Sequence, residues 1–312
     1  MNTETATADD NAPDTQAPQW FRDALSAPRE DRYVDVDGCR IHYLLWSDDD
    51  TKPGMILVHG MGAHANWWSF IAPFFTDHYR VAALDLGGFG DSEYRENYSA
   101  DRFVSELTSV GADAGFGDDT LIVGHSFGGF VTLQAAIEHG DKLGGVVLVD
   151  SPVRPPDYDW EKRPHTSPIR PKRIYPDRET AIDRFRLRPP QECANGFIME
   201  YIAQHSIRQV EGGWEWKFDD QLFKTFKRNS LSTDLASIPC RMAVILGEES
   251  KLFSQDIADY MFKTLDSSVP FVTIPEAEHH IWLDQPLAFI SSLRTLLAEW
   301  RHSRPQRGDR HL

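Results

Sequence analysis

The stretch from Thr120 to Val131 constrains this chain more than any other. Leu121-Ile122-Val123 is an apolar run, and it ends in Gly124-His125-Ser126-Phe127-Gly128, a G-x-S-x-G pattern. Val131-Thr132-Leu133-Gln134-Ala135-Ala136-Ile137 follows with helix-forming composition. Strand, sharp turn and helix together are the setting in which such a serine becomes a nucleophile, because the turn strains its backbone and aims the hydroxyl outward. Glycines flank the serine because a Cβ there would meet the neighbouring strand or helix. The helix start beneath it favours developing negative charge. Taken alone, the pattern also fits a plain glycine-rich turn, so the rest of the chain has to decide.

The segments around it repeat the same alternation. Met55-Ile56-Leu57-Val58 is wholly apolar, as a strand buried on both faces must be. Tyr79 to Leu84, Gly145 to Val149, Arg241 to Leu246 and Val269 to Ile274 read similarly, and helical patterns cover 99–114, 127–139, 254–265 and 284–301. Two strand-like runs, 32–36 and 40–46, flank Asp37-Gly38, a strong hairpin signal. Residues 20–25 suit a short docking helix. Strands alternating with helices specify an α/β sheet with right-handed crossovers. From Pro152 to about Leu235 the rhythm breaks into proline-rich turns, aromatics and amphipathic stretches at 177–188 and 192–206. The expected organisation is a disordered tail over 1–18, a core made of 19–151 and 236–302, a cap inserted at 152–235, and a flexible tail at 303–312.

Charge narrows the partners. The chain of 312 residues carries 32 basic and 48 acidic side chains, a net charge of −16. That argues against nucleic acid, whose phosphates demand a basic surface. Cys39, Cys193 and Cys240 stand far apart with no C-x-x-C pair, which points to a reducing compartment. The acidic N-terminus lacks a basic-then-apolar leader, and no run reaches membrane-spanning length. The expectation is a cytoplasmic protein acting on a small molecule, with a homodimer left open.

Three further segments follow strands of the same series. His59-Gly60-Met61-Gly62 leaves one strand through a turn able to aim the Met61 N–H at a substrate oxygen, with the Phe127 N–H as the second donor of an oxyanion hole. Asp85-Leu86-Gly87-Gly88-Phe89-Gly90-Asp91-Ser92 only half matches a dinucleotide-binding loop and reads as a tight structural loop. Ala277-Glu278-His279-His280 follows the last strand, where a histidine can take the serine proton and return it to the leaving group.

In order and spacing these parts resemble the α/β-hydrolase fold family over residues 30–301. The resemblance implies a mostly parallel eight-stranded sheet with helices on both faces, a helical cap, and no metal or organic cofactor. The family's histidine segment usually reads A-G-H with a proline seven residues on. Here Glu278 replaces the glycine and Pro286 lies seven beyond His279, which favours His279 over His280 as base. The family's acid is commonly an aspartate three residues past the glycine that ends a later strand, but this chain reads Gly247-Glu248-Glu249-Ser250. A second family position, the end of the strand Leu148-Val149-Asp150, offers Asp150. Asp150 is preferred, with Glu248 and Glu249 as alternatives. Dehalogenases and epoxide hydrolases of this fold place an aspartate at the elbow. Ser126 therefore points to an acyl-enzyme on an ester, thioester or amide, or to cleavage of a carbon–carbon bond beside a carbonyl. A carboxylesterase-like activity on a small to medium, mostly apolar ester is the leading reading; a cofactor-free lyase, carbon–carbon hydrolase or perhydrolase, and a non-catalytic binding protein, are the others. Trp67, Trp68, Trp214 and Trp216 are candidate pocket residues. The cap's cations, Arg154, Arg163, Arg170, Lys172, Arg173, Arg184, Arg186 and Arg188 among them, read as a solvated face that could also draw an anion.

Overall fold

The computed structural model describes residues 17–158, 171–226, 235, 238–265 and 269–303. The expected tails fall outside these residues except for Ala17, Pro18 and Ser303, as do Arg163 and Arg170 of the cap. Ala17 is buried in the same cluster as Phe21, so the docked body starts two residues before the boundary expected at 19.

Helix α1 (Gln19–Leu25) leads into strands β1 (Arg29–Val36) and β2 (Cys39–Trp46). Asp37 and Gly38 both take positive φ, the left-handed pair a tight two-residue hairpin needs, and β1 pairs antiparallel with β2. Then follow β3 (Gly54–Val58), β4 (Arg80–Leu84), α2 (Ala100–Asp113), β5 (Thr120–His125), α3 (Phe127–His139) and β6 (Leu143–Val149). The interruption holds α4 (Arg178–Asp183), α5 (Gly196–His205), the hairpin strands β7 (Ile207–Val210) and β8 (Gly213–Trp216), and α6 (Leu222–Thr225). The chain closes with β9 (Met242–Gly247), α7 (Gln255–Thr264), β10 (Phe271–Ile274), α8 (Ile281–Asp284) and α9 (Pro286–His302).

The main sheet has eight strands in the order β1-β2-β4-β3-β5-β6-β9-β10, antiparallel at β1, β2 and β4 and parallel from β4 onward. Strand β5, which carries the serine turn, lies between β3 and β6 near the middle. Alternate residues of each parallel strand face opposite layers. Leu57, Val123, Val147 and Ala243 pack under α1, α8 and α9, while Ile56, Ile122, Val146 and Val244 pack under α2, α3 and α7. Two buried faces explain why these strands are apolar at every position.

The described part of the insertion sits over the loops that leave the C-terminal ends of the strands. Lys217 and Gly88 carbonyls accept from the Gly90 and Asp219 amides, His64 bonds Ser206, and Gln191 bonds Asp284. Helix α4 stops at Asp183, short of the 188 expected, and residues 184–188 instead run as an irregular strap. No described helix is long and apolar enough to cross a membrane.

Candidate active site

Ser126 sits between β5 and α3 with φ +52° and ψ −114°. A non-glycine residue in that conformation stores strain of about 1–3 kcal/mol, which the surroundings must hold. They do so by close packing. A Cβ on Gly128 would lie 2.5 Å from the carbonyl oxygens of Val58 and His59, and one on Gly124 would lie 2.5 Å from the Gly128 oxygen. Strand β3 therefore approaches α3 as closely as backbones can. Ser126 N–H donates to the Val149 carbonyl at 3.0 Å, and Ser151 Oγ donates to the Ser126 carbonyl at 2.8 Å.

Next to the serine lies the 59–62 turn. His59 is fully buried, and burial lowers its pKa, so its ring is neutral. Its Nδ1 donates to the Gly60 carbonyl at 2.7 Å, and its Nε2 accepts from the Leu86 N–H at 3.1 Å, which locks the turn to the loop after β4. A Cβ at Gly60 would sit 3.2 Å from the Ser126 Cβ, so the turn and the elbow are in contact. The Met61 N–H makes no hydrogen bond among the described residues. Phe127 is the first residue of α3, so its N–H lies at the helix start directly after Ser126.

Asp85 anchors the same region from below. Its carboxylate accepts from the Ala65 and Asp91 amides and from His42 Nδ1 at 2.7 Å. Burial would raise its pKa, but the hydrogen bond and charge of His42 outweigh that and hold it well below the usual carboxylate range. The half-matched glycine loop is thus a structural clasp.

The structure brings His279 and Asp150 together. His279 Nδ1 lies 2.6 Å from Asp150 Oδ2, and both side chains are buried. Asp150 takes φ +43° at the end of β6, with its N–H donating to the Ile245 carbonyl at 2.8 Å. Its other contacts come from the β9 end: the Gly247 N–H at 3.1 Å on Oδ1 and Ser250 Oγ at 2.6 Å on Oδ2. Glu248 and Glu249 are both exposed, and Glu248 accepts from the Glu276 amide instead. Ser250, which sequence reasoning did not assign, occupies the third position after Gly247 and supports the acid from there. The absence of an aspartate in Gly247-Glu248-Glu249-Ser250 was the signal that could have found it. Ser126 Oγ and His279 share no hydrogen bond among the described residues, as is common before substrate tightens a site.

His280 is turned elsewhere. Its ring packs against Trp67 and His125, at 5.3 and 5.4 Å between centroids, and has no carboxylate partner. Burial, then the neighbouring His279, lower its pKa well below the ordinary value. His125 is likewise neutral through burial, with His279 and His280 adding to the effect, and its Nε2 donates to the His279 carbonyl at 3.0 Å. That bond fastens the serine turn to the histidine loop. One ring nitrogen from each of His125, His279 and His280 lies within 4.8 Å of the others, while His279 spends Nδ1 on Asp150 and His125 spends Nε2 on the His279 carbonyl. The other cation-sized group, His42, Asp85 and Asp91, is already tied by internal hydrogen bonds and by Lys217 on Asp91.

Of the four candidate pocket tryptophans, two line a cavity. Trp67 and Trp216 border a space of about 560 Å³, its open mouth included, floored by Met61 and Gly62. Trp68 does not line it. It is fully buried and stacked on Trp282 at 4.3 Å, because the short helix at Ala65–Trp68 turns successive rings to different sides. Trp214 lines no described cavity either; its segment pairs with Tyr175 through backbone hydrogen bonds.

Comparison with known proteins fits this geometry. Residues 55–292 match the Alpha/beta hydrolase family. Over 141 residues the chain is 30% identical to Epoxide hydrolase 1 of Caenorhabditis elegans, covering 44% of this chain and 34% of that protein. The chain spans about a third of the length of the epoxide hydrolases it matches. Over 261 residues it is 25% identical to a (lyso)-N-acylphosphatidylethanolamine lipase of Bos taurus, covering 75% of this chain and 76% of that one. Among solved structures, E-2-(acetamidomethylene)succinate hydrolase superposes with a TM-score of 0.72 at 18% identity, over 87% of this chain and all of that one. An esterase from Mycobacterium tuberculosis does so with a TM-score of 0.68 at 22% identity, over 89% and 95%. At such identities the structures share the fold alone. With a family match across most of its length and the matching sheet order, this chain belongs to the alpha/beta hydrolase family.

Proposed function

We propose that the protein is a serine hydrolase that cleaves a small to medium, mostly apolar carboxylic ester through an acyl-enzyme on Ser126. The observation that carries the reading is the buried 2.6 Å bond between His279 and Asp150, set beside a serine in strained backbone conformation. In this reading His279 takes the Ser126 proton as the oxygen attacks the ester carbonyl. Asp150 fixes the imidazole with its proton on Nδ1 and stabilises the imidazolium. The Met61 and Phe127 amides bind the oxyanion, a contribution of roughly 10²–10³ in rate for each donor. The leaving alcohol departs with the proton from His279, and water activated by the same histidine then releases the acid.

Chemistry separates this reading from epoxide opening, the activity in the names of several relatives. A carboxylate nucleophile attacking an epoxide forms an ester that water can cleave. Ser126 would form an ether, which the same histidine and water could not break, and the enzyme would stall after one turnover.

The test has two stages. A fluorophosphonate probe should label the protein, and Ser126→Ala should abolish labelling. A series of p-nitrophenyl esters of increasing chain length should then show turnover that depends on Ser126 and His279. Labelling without cleavage of any ester would redirect the assignment to a carbon–carbon bond beside a carbonyl; no labelling would refute the serine mechanism.

A further inference from the structure

The strap 184–188 has a second side. It also forms one wall of a cleft of about 820 Å³, open side included, lined by Lys172, Arg173, Arg184, Arg186, Arg188 and Trp216 among others. No carboxylate is among the described lining residues, in a protein whose net charge is −16. Not all of these cations are available. Lys172 is held by Glu215 at 3.1 Å, a carboxylate it shares with Arg208. Arg173 and Arg184 have no carboxylate partner among the described residues. Arg186 spends Nη1 on the carbonyls of Asp183 and Phe185, which fixes the guanidinium and leaves its charge uncompensated. Asp183, beside Arg184 in the chain, is exposed and outside the lining.

The cleft adjoins the cavity that Met61 borders. Arg186, Arg188, Trp216 and Phe218 border both spaces. The Trp216 ring is fixed by its Nε1 donating to the Ala181 carbonyl at 3.1 Å, so it is a rigid apolar border that the two spaces share. A ligand laid across this shared border would have the Met61-Gly62 turn at one end, the Trp216 and Phe218 rings in the middle and the guanidinium groups of Arg173, Arg184 and Arg186 at the other.

We propose that this cleft is an anion subsite, and that the substrate is an ester with an apolar body and a carboxylate or phosphate group several bonds from the scissile carbonyl. This rests on the serine hydrolase reading and names its substrate class. Guanidinium groups suit both anions because their planar forks match carboxylate and phosphate oxygens. A solvated face of arginines would be convex and interspersed with acids. Here Arg173, Arg184 and Arg186 are exposed but line one concavity with Tyr175, Trp216 and Phe218, whose low-dielectric surfaces focus the field and attract an anion against the charge of the whole molecule.

The experiment compares p-nitrophenyl hexanoate with mono-p-nitrophenyl adipate, which carries the charge on the acyl side, and with 4-hexanoyloxybenzoate, which carries it on the leaving group. The wild type should favour one anionic ester in kcat/KM, and the preference should fade as salt rises from about 0.05 to 0.5 M. In the variant Arg173→Gln/Arg184→Gln/Arg186→Gln, the ratio of anionic to neutral kcat/KM should fall at least about tenfold, through KM. An unchanged ratio for both anionic esters overturns the subsite while leaving the hydrolase reading intact. Calorimetric titration of Ser126→Ala protein with hexanoate and with hexyl phosphate measures the subsite without turnover and distinguishes the two anions. Binding of either that is lost in the arginine variant supports the subsite even if no ester is cleaved; no binding of either overturns it.

Discussion

Replacing Asp150 by asparagine is the most direct challenge to the proposed chemistry. The carboxylate is fully buried and accepts from three donors: His279 Nδ1 and Ser250 Oγ at 2.6 Å and the Gly247 N–H at 3.1 Å. Asparagine keeps the shape but has a single oxygen. Either that oxygen still accepts from Gly247 and an NH₂ group faces His279, or a neutral oxygen faces His279 and the NH₂ group meets the Gly247 N–H. The first drives the imidazole to the wrong tautomer, and the second removes the charge that stabilises the imidazolium. Unit charges ~4 Å apart interact by about 4 kcal/mol at an effective dielectric of about 20. At about 1.4 kcal/mol per tenfold change, that is close to a thousandfold in rate. Adding the tautomer penalty gives a fall in kcat of roughly 10³–10⁴, the upper value being that known for a Ser-His-Asp protease. The assay is steady-state hydrolysis of p-nitrophenyl butyrate, with thermal melting to show that the variant is folded. Glu248→Gln, at an exposed site, should stay within about twofold of wild type. A folded Asp150→Asn protein that keeps a tenth of its turnover, or a large loss in Glu248→Gln instead, would refute the assignment of the acid.

Three other outcomes follow from the same contacts. Ser250→Ala removes a charge-assisted hydrogen bond from Asp150, so it should cost about 1.5–3 kcal/mol in urea unfolding and slow turnover less than Asp150→Asn does. Gly128→Ala places a Cβ 2.5 Å from two backbone oxygens of β3, which cannot retreat as a flexible side chain would; a loss of about 3 kcal/mol is expected, and a melting temperature equal to wild type would show that the elbow is looser than described. The third outcome concerns pH. Burial pushes His42 down, but its hydrogen bonds to Asp31 and Asp85 and the charge of Asp85 prevail and raise it to about 9 from 6.5. A group whose folded pKa is raised gives its full stabilisation below the unfolded pKa and loses it as pH rises through the folded one. Stability should therefore fall by about 3 kcal/mol between pH 6.5 and 9.5, and His42→Asn should flatten that slope. A flat wild-type profile over that range would contradict the assignment.

Much of the architecture could be read before any coordinates because its causes are local. The strands of the parallel sheet are apolar at every position, Asp37-Gly38 can adopt the two positive φ values of a tight hairpin, and the glycines around Ser126 fit only a turn where backbones nearly touch. The helical stretch expected at 177–188 ends early because amphipathic spacing does not register what a segment packs against; Phe185 and Leu187 are buried in the core cluster from an irregular segment. The place of Trp68 depends on tertiary packing for the same reason. A tryptophan after a glycine turn has the same sequence signature whether it faces a pocket or, as here, stacks on Trp282 in the core.

Sequence alone determined the alternation of strand and helix, the serine turn, and the presence of a histidine after the last strand, since each depends on residues adjacent in the chain. It left the carboxylate open between Asp150 and the Glu248–Glu249 pair, because β6 and β9 are neighbours and both end at the same edge of the sheet. Tertiary structure decided which side chain meets His279. The register that sets Val149 against Ile245 places Asp150 directly beneath the histidine, while Gly247 turns the chain so that Glu248 and Glu249 face solvent and Ser250 returns inward. The convergence of Arg173, Arg184 and Arg186 on one cleft was decided in the same way. The sequence spreads these charges over separate turns, and only the folded strap brings them to face one space.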